Sequence, residues 1–244
     1  MELLTEGNAA KLYCLNWIDR YAASKPDATI LDLGCGKALN FVKLLQKYPD
    51  LRYVGIEPSP AACELARRNT AGLNATIING YAYDVFGKYL EEQFDIIVSF
   101  SVFEHVYHRL EYLRAAKACL KPEGYFLINY DAGHFIQPAS FREWAKNKVG
   151  PILARLGQER YYQSFVHDQS FRAMLPQVGF NIREVRGFNT RLKGVYKLIP
   201  PENRVEYMSR WFDFEMWLSD LNLPYDDTRA DTWFTRNYIL THAS

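Results

Sequence analysis

The sequence predicts an α/β fold, a seven-stranded and mostly parallel sheet with helices on both faces and with insertions after strand five and between strands six and seven. Two observations carry that expectation. The first is Ile30-Leu31-Asp32-Leu33-Gly34-Cys35-Gly36, an apolar run that breaks into a glycine turn. A second apolar run closes in Glu57 about twenty residues later, the spacing of a strand, turn, helix and strand that ends in a ribose-gripping carboxylate. Gly34 and Gly36 let the backbone turn tightly and approach a ligand where a Cβ would collide. The second observation is that apolar runs and helical patterns keep alternating beyond this unit, which implies parallel strands with both faces covered. Right-handed crossovers then leave few topologies.

Each element follows from its own residues. Leu12, Leu15, Ile18 and Ala22 recur at helical spacing over 8–22, with Tyr13 and Trp17 widening the face, and residues 1–27 are expected to place this helix over the ligand cleft. Strand one is expected at 28–33, a helix at 37–48 and strand two at 52–57. Ser59 as N-cap and Pro60 as first residue start the next helix. Strand three is Ala75 to Asn79, strand four 94–100, a helix spans 104–119, and strand five runs over 124–130. Strand six is Asn181 to Phe188, and a terminal strand is Trp233 to Thr241.

Two segments exceed this minimal pattern, 131–165 and 189–231, and connections of that length are commonly lids or binding elements. The second carries a broad apolar face, with Val205, Met208, Trp211, Phe212, Trp217, Leu218 and Leu221 on a helix from Asn203 to Leu221. Packing on the core, a substrate lid and a homodimer surface are all open to it. The 244 residues suit one domain, 1–244, with a full core.

A net charge of +1 exerts no global pull toward nucleic acid. Four cysteines without CxxC spacing suggest neither a zinc ribbon nor a disulfide framework, so a reducing cytoplasm is expected. No run approaches the length of a membrane span, and the first residues lack a basic segment followed by a long apolar one. Basic residues outnumber acidic ones between 142 and 210, and an acidic stretch follows. Solvated faces that alternate in sign explain this; so would recruitment of an anionic small-molecule acceptor, or of an anionic carrier on it.

A dinucleotide fingerprint requires a third glycine, and here Leu39 stands three residues after Gly36. Asp32 at the strand end would repel phosphate and suit a cation. On these residues the chain resembles the class I S-adenosylmethionine-dependent methyltransferases, whose first motif is an acidic residue followed by a Gly-x-Gly turn. The resemblance extends through Phe94-Asp95-Ile96-Ile97-Val98-Ser99-Phe100, through Leu120 to Asn129, and through Phe165 to Phe180. It implies a Rossmann-like sheet and S-adenosyl-L-methionine as cofactor. It further implies that Asp32 and the backbone of Gly34, Cys35 and Gly36 serve the amino-acid end, that Glu57 and Pro58 flank the ribose, and that Ser99 and Phe100, at the end of strand four, also bind the cofactor.

The residues after strand three would hold the adenine. The family's usual Gly-Asp-Ala is here Gly80-Tyr81-Ala82, so the Ala82 amide and the Tyr81 ring remain while the carboxylate acceptor is lost, with Asp84 as a stand-in. Ser99 to His105 is similar to the Glu-x-x-Glu-His metal motif of the ubiquinone-pathway and small-RNA O-methyltransferases. Only Glu104 and His105 match it. Ser101 in the first ligand position is a poor replacement for a carboxylate on a hard ion, so no metal is expected. His105 after strand four and His134 after strand five are the candidate general bases, competent near neutral pH, and they favour oxygen over nitrogen as the accepting atom. His105 could equally only shape the pocket. No Asn/Asp-Pro-Pro-Tyr motif appears at strand four, which argues against a nucleic-acid acceptor. N-methylation by positioning and desolvation, and a non-catalytic cofactor binder, are the alternatives.

Overall fold

The computed structural model describes residues 9–85, 94–131, 141–159, 162–188, 193–221 and 235–243. Its sheet has seven strands: β1 (Thr29–Leu33), β2 (Arg52–Glu57), β3 (Ala75–Asn79), β4 (Phe94–Phe100), β5 (Leu120–Asp131), β6 (Phe180–Phe188) and β7 (Thr235–His242). Their spatial order is β3-β2-β1-β4-β5-β7-β6, and β7 runs antiparallel to both neighbours. The order reverses between β1 and β4, and the carboxyl ends of that pair open the crevice where sheets of this kind take ligands.

Period-two alternation divides the core between the two faces. Ile30, Tyr53, Ile96, Val98 and Leu127 pack on one side against α1 (Ala9–Ser24), α2 (Val42–Lys47) and α3 (Pro60–Asn69). On the other, Leu31, Val54, Ile97, Phe126 and Leu240 meet α4 (Arg109–Cys119) and α6 (Asp168–Val178). Each central strand is buried from both sides, and β4 is buried at every position. Ser59 caps α3 by accepting from the Ala62 amide at 3.4 Å, with Pro60 in the first turn as its fixed φ favours.

Two expected helices are shorter than the sequence suggested. The segment after Gly36 turns before it coils, because Ala38 takes a left-handed φ of +56°, and α2 starts only at Val42. The helix expected at 104–119 is a short 3₁₀ turn, Phe103–His105, then an extended Val106, then α4 from Arg109. Glu104 therefore lies in a tight turn beneath the site instead of opening the α-helix.

α5 (Phe141–Arg155) belongs to the first long connection, and α7 (Lys193–Leu198) and α8 (Arg204–Asp220) to the second. α1 packs on β5, β6, β7 and α8, with Asn237 donating to the Ala10 carbonyl at 2.8 Å. α8 buries Met208 and Trp211 against Leu12 and leaves Val205, Phe214 and Trp217 exposed, as is Leu221 just past its end. One face of this helix thus packs on the core, as its periodicity allowed.

Candidate active site

The glycine turn after β1 hooks over the end of β2. The amides of Gly34 and Cys35 both donate to the Ile56 carbonyl, at 2.8 and 2.9 Å. Gly34 has a φ of +86°, and a Cβ there would lie 2.5 Å from a Val102 methyl, so only glycine suits the position. Gly36 differs. Its φ is +55°, and a Cβ would meet nothing within 4 Å, so its backbone faces open space.

Glu57 at the tip of β2 braces this turn: its Oε2 accepts from the Gly36 amide at 3.0 Å and its Oε1 from the Ser59 amide at 2.9 Å. Each carboxylate oxygen keeps further lone-pair capacity, so the group that shapes the turn can still accept from neighbouring hydroxyls. This bracing role was not apparent in the sequence.

Asp32 is buried one layer below. It accepts from the Tyr53 hydroxyl at 2.7 Å, and burial pushes its carboxyl up to about 7 despite that bond and the nearby charge of Lys11. Cys35 packs over Gly55, where a Cβ would come within 2.8 Å of its sulfur, and burial raises its thiol. Ser99 is fully buried and accepts from the Tyr112 hydroxyl at 2.7 Å, while Phe100 stacks on Phe41. These two side chains therefore build the floor. Ser101 turns the chain away from β4 with a φ of +56°, and its amide donates to the Asn129 side chain at 2.8 Å.

The adjoining pocket encloses about 430 Å³, counting its open mouth. Gly34 and Pro58 line one side, Tyr81 and Ala82 a second, and Val102, His105 and Val106 a third. Seven of the sequence-selected residues thus meet at one place with Glu57: Gly34, Gly36, Pro58, Tyr81, Ala82, His105 and Cys35 lie at the turn or in the pocket wall. His105 is exposed, with Nδ1 placed 3.2 Å from the Tyr162 carbonyl. A carbonyl oxygen only accepts, so in this contact Nδ1 is the donor. His134 lies outside the described residues.

The remaining wall was missed by sequence reading. Glu159, from the connection between β5 and β6, reaches into the pocket and is only 8% exposed. It accepts from the Tyr83 hydroxyl, and from the Tyr107 amide at 3.3 Å. No periodicity marks this residue in the sequence. Close by, the Ser164 amide donates to the Glu104 carbonyl at 2.9 Å, and Arg109 donates to the Ser164 hydroxyl at 2.7 Å and to its carbonyl at 3.2 Å. The Glu104 side chain is fully buried, and its carboxyl is raised first by burial and then by the charge of Asp131. Among the described residues no group of three or more His, Cys, Asp or Glu side chains could hold a metal ion.

This arrangement fits an adenosyl group by its chemistry. A largely apolar pocket with aromatic walls suits a purine ring, a carboxylate at the strand tip suits a ribose diol, and the Gly36 backbone faces an opening that a side chain would fill. A family described as "Methyltransferase domain" matches residues 7–185. The chain belongs to this family.

The individual similarities are lower. Release factor glutamine methyltransferase of Geobacter sulfurreducens is 36% identical over 74 residues, 30% of this chain and 25% of that protein. Ubiquinone biosynthesis O-methyltransferase of Acinetobacter baylyi is 22% identical over 200 residues, 80% of each chain. A solved TehB-like SAM-dependent methyltransferase from Corynebacterium glutamicum superposes with a TM-score of 0.53 at 15% identity, covering 96% of this chain and 97% of that one. The chain spans about a quarter of the length of the first curated relatives it matches. No helix among the described residues is long and apolar enough to cross a membrane.

Proposed function

We propose that this protein transfers the methyl group of S-adenosyl-L-methionine to a small-molecule or glycan-precursor acceptor, at oxygen. The observation that carries this reading is Glu57 bracing the Gly34–Gly36 turn at the β1/β4 reversal, directly beside a largely apolar pocket. The cofactor, when bound, supplies an activated methyl on a cationic sulfur.

The chain's own residues supply the rest. Glu57 holds the ribose hydroxyls, Gly36 leaves open the space a side chain would fill, and Pro58, Tyr81 and Ala82 flank the purine. The buried Asp32 supplies charge below the turn once it is ionised, attracting the ammonium end. Phe100, Phe41 and Ser99 form a packed floor that keeps the turn from shifting, and such positioning is the larger part of what a methyl transfer needs. Nε2 of His105, on the pocket rim, takes the acceptor's hydroxyl proton. His134 is the other candidate for that role.

Calorimetry with S-adenosylhomocysteine and, separately, NAD tests the reading. Binding of the first and not the second is expected, and Glu57→Ala should weaken it by about 1.5 to 3 kcal/mol, the worth of hydrogen bonds to a charged group. Binding of NAD with no response to S-adenosylhomocysteine would refute it. With an acceptor in hand, His105→Ala should lower turnover about 100-fold while cofactor affinity holds. Unchanged turnover would point to transfer at nitrogen by desolvation, or to His134.

A further inference from the structure

Besides its tyrosine hydroxyls, the pocket wall carries two ionisable side chains of other kinds, and their placement differs. His105 stands at the exposed rim, whereas Glu159 is nine-tenths buried and belongs to the wall itself. A carboxylate in such a place needs donors. Tyr83 and the Tyr107 amide both donate to Oε2, while Oε1 lies 3.9 Å from His108 Nε2, beyond hydrogen-bond range. A carboxylate oxygen accepts more than one hydrogen bond, so this pocket-lining group keeps acceptor capacity.

We propose that Glu159 is the group that selects adenine, accepting a hydrogen bond from its exocyclic 6-amino group. This rests on the reading that the pocket holds the purine of an adenosyl ligand. The position after Gly80, where a carboxylate acceptor would be sought by sequence, is Tyr81, which offers only a ring face and a hydroxyl. The acceptor is supplied instead from a distant segment. Tyr83 follows Ala82 directly in the turn after β3, and its bond to Glu159 draws the carboxylate against the base-binding residues. The same carboxylate would repel the 6-oxo group of hypoxanthine or guanine. A base carrying a donor at that position is favoured, and a base carrying an acceptor there is rejected.

The alternative role is a clamp that merely holds the connection against Tyr83 and the Tyr107 amide. A clamp affects every ligand of the pocket equally; an amine acceptor changes the ratio between ligands. The experiment therefore measures two affinities by calorimetry on the full chain, for S-adenosylhomocysteine and for its deaminated counterpart S-inosylhomocysteine. Wild type should prefer the amine by about 10-fold to 100-fold, the range for a hydrogen bond to a charged group. In Glu159→Gln, whose amide can serve either base, that preference should fall to within about threefold. In Glu159→Ala both affinities should converge in the same way.

No preference in wild type, or a preference retained in the Gln variant, would overturn the assignment. If the Gln variant fails to fold, the wild-type ratio alone still decides whether an acceptor faces position 6. The underlying site reading is tested apart from this by Glu57→Ala. Normal binding in that variant, or no binding of S-adenosylhomocysteine by wild type, would remove the purine from the pocket and overturn the proposal with it.

Discussion

The two walls of the pocket are held by different kinds of contact. On the glycine-turn side the decisive bonds join backbone amides to β2: Gly34 and Cys35 donate to Ile56, and Gly36 reaches Glu57 across 21 residues of sequence. On the opposite side the decisive bonds run between side chains and distant segments. Tyr83 meets Glu159 across 76 residues, and Arg109 meets Ser164 across 55. The first wall is an automatic product of parallel strand pairing, since Asp32 pairs with Gly55 and Leu33 with Ile56 in register. The second exists only if a long connection docks, and the cost of closing that loop must be met by a few buried polar bonds. The turn side is thus a scaffold feature. The docked side is where affinity and selectivity can change without rebuilding the fold.

The harshest way to break this contrast is at the turn. Gly34→Ala adds a left-handed penalty of about 1 to 2 kcal/mol to a clash with Val102, and overpacking of that kind costs about 1 to 3 kcal/mol more. A fall of several degrees in Tm is expected, together with loss of S-adenosylhomocysteine binding. Gly36→Ala separates the two contributions, because its Cβ enters open space. That variant should carry only the left-handed penalty, about 1 to 2 kcal/mol, and so melt between wild type and Gly34→Ala while losing affinity. A Gly34→Ala protein that melts and binds like wild type would show that the turn is not rigidly dictated by β2.

A smaller effect is expected from undocking the other wall. Arg109 is partly buried and donates to Ser164 and to the Phe165 carbonyl at 3.4 Å. Arg109→Leu removes these charge-assisted bonds and should cost about 1.5 to 3 kcal/mol locally. Limited proteolysis should then cut within 156–165 while the Tm of the sheet changes little. Equal protection of that segment in both proteins would mean that apolar packing, and not Arg109, holds the connection.

The mildest test sharpens the comparison through pH. Burial, followed by the Asp131 charge, lifts Glu104 to about 8 from an ordinary value of 4.5. The folded protein then retains a proton that the unfolded chain has released, so this contribution is complete below about pH 4.5 and is lost as pH rises through 8. Glu104→Gln should flatten the decline of Tm between pH 5 and 8 and leave it about 2 to 4 °C above wild type at the upper end. Asp32, raised to about 7 by burial, keeps its own share of the slope in that variant. Parallel melting profiles would place Glu104 in a wetter site than its full burial indicates.

Residues whose partners lie close along the chain were legible beforehand. Gly34, Gly36, Glu57, Ser59 and Pro60 work through adjacent strand ends and a helix start, and spacing alone exposes such units. The turn at Ala38 and the break at Val106 were not legible, because neither alanine nor valine signals its own departure from helix. Tertiary contacts override propensity at both.

By itself the sequence determined the alternation of strands and helices, the glycine turn after β1, and the carboxylate at the tip of β2. Those follow from burial on both sheet faces and from steric limits on the backbone, which act residue by residue. Only the tertiary structure decided that Glu57 braces the turn it serves, that Ser99 and Phe100 form a floor, and that Glu159 completes the pocket. These depend on which surfaces meet after the chain has closed long loops. A carboxylate in a polar connection carries no mark of its destination until Tyr83 and the Tyr107 amide draw it out of water.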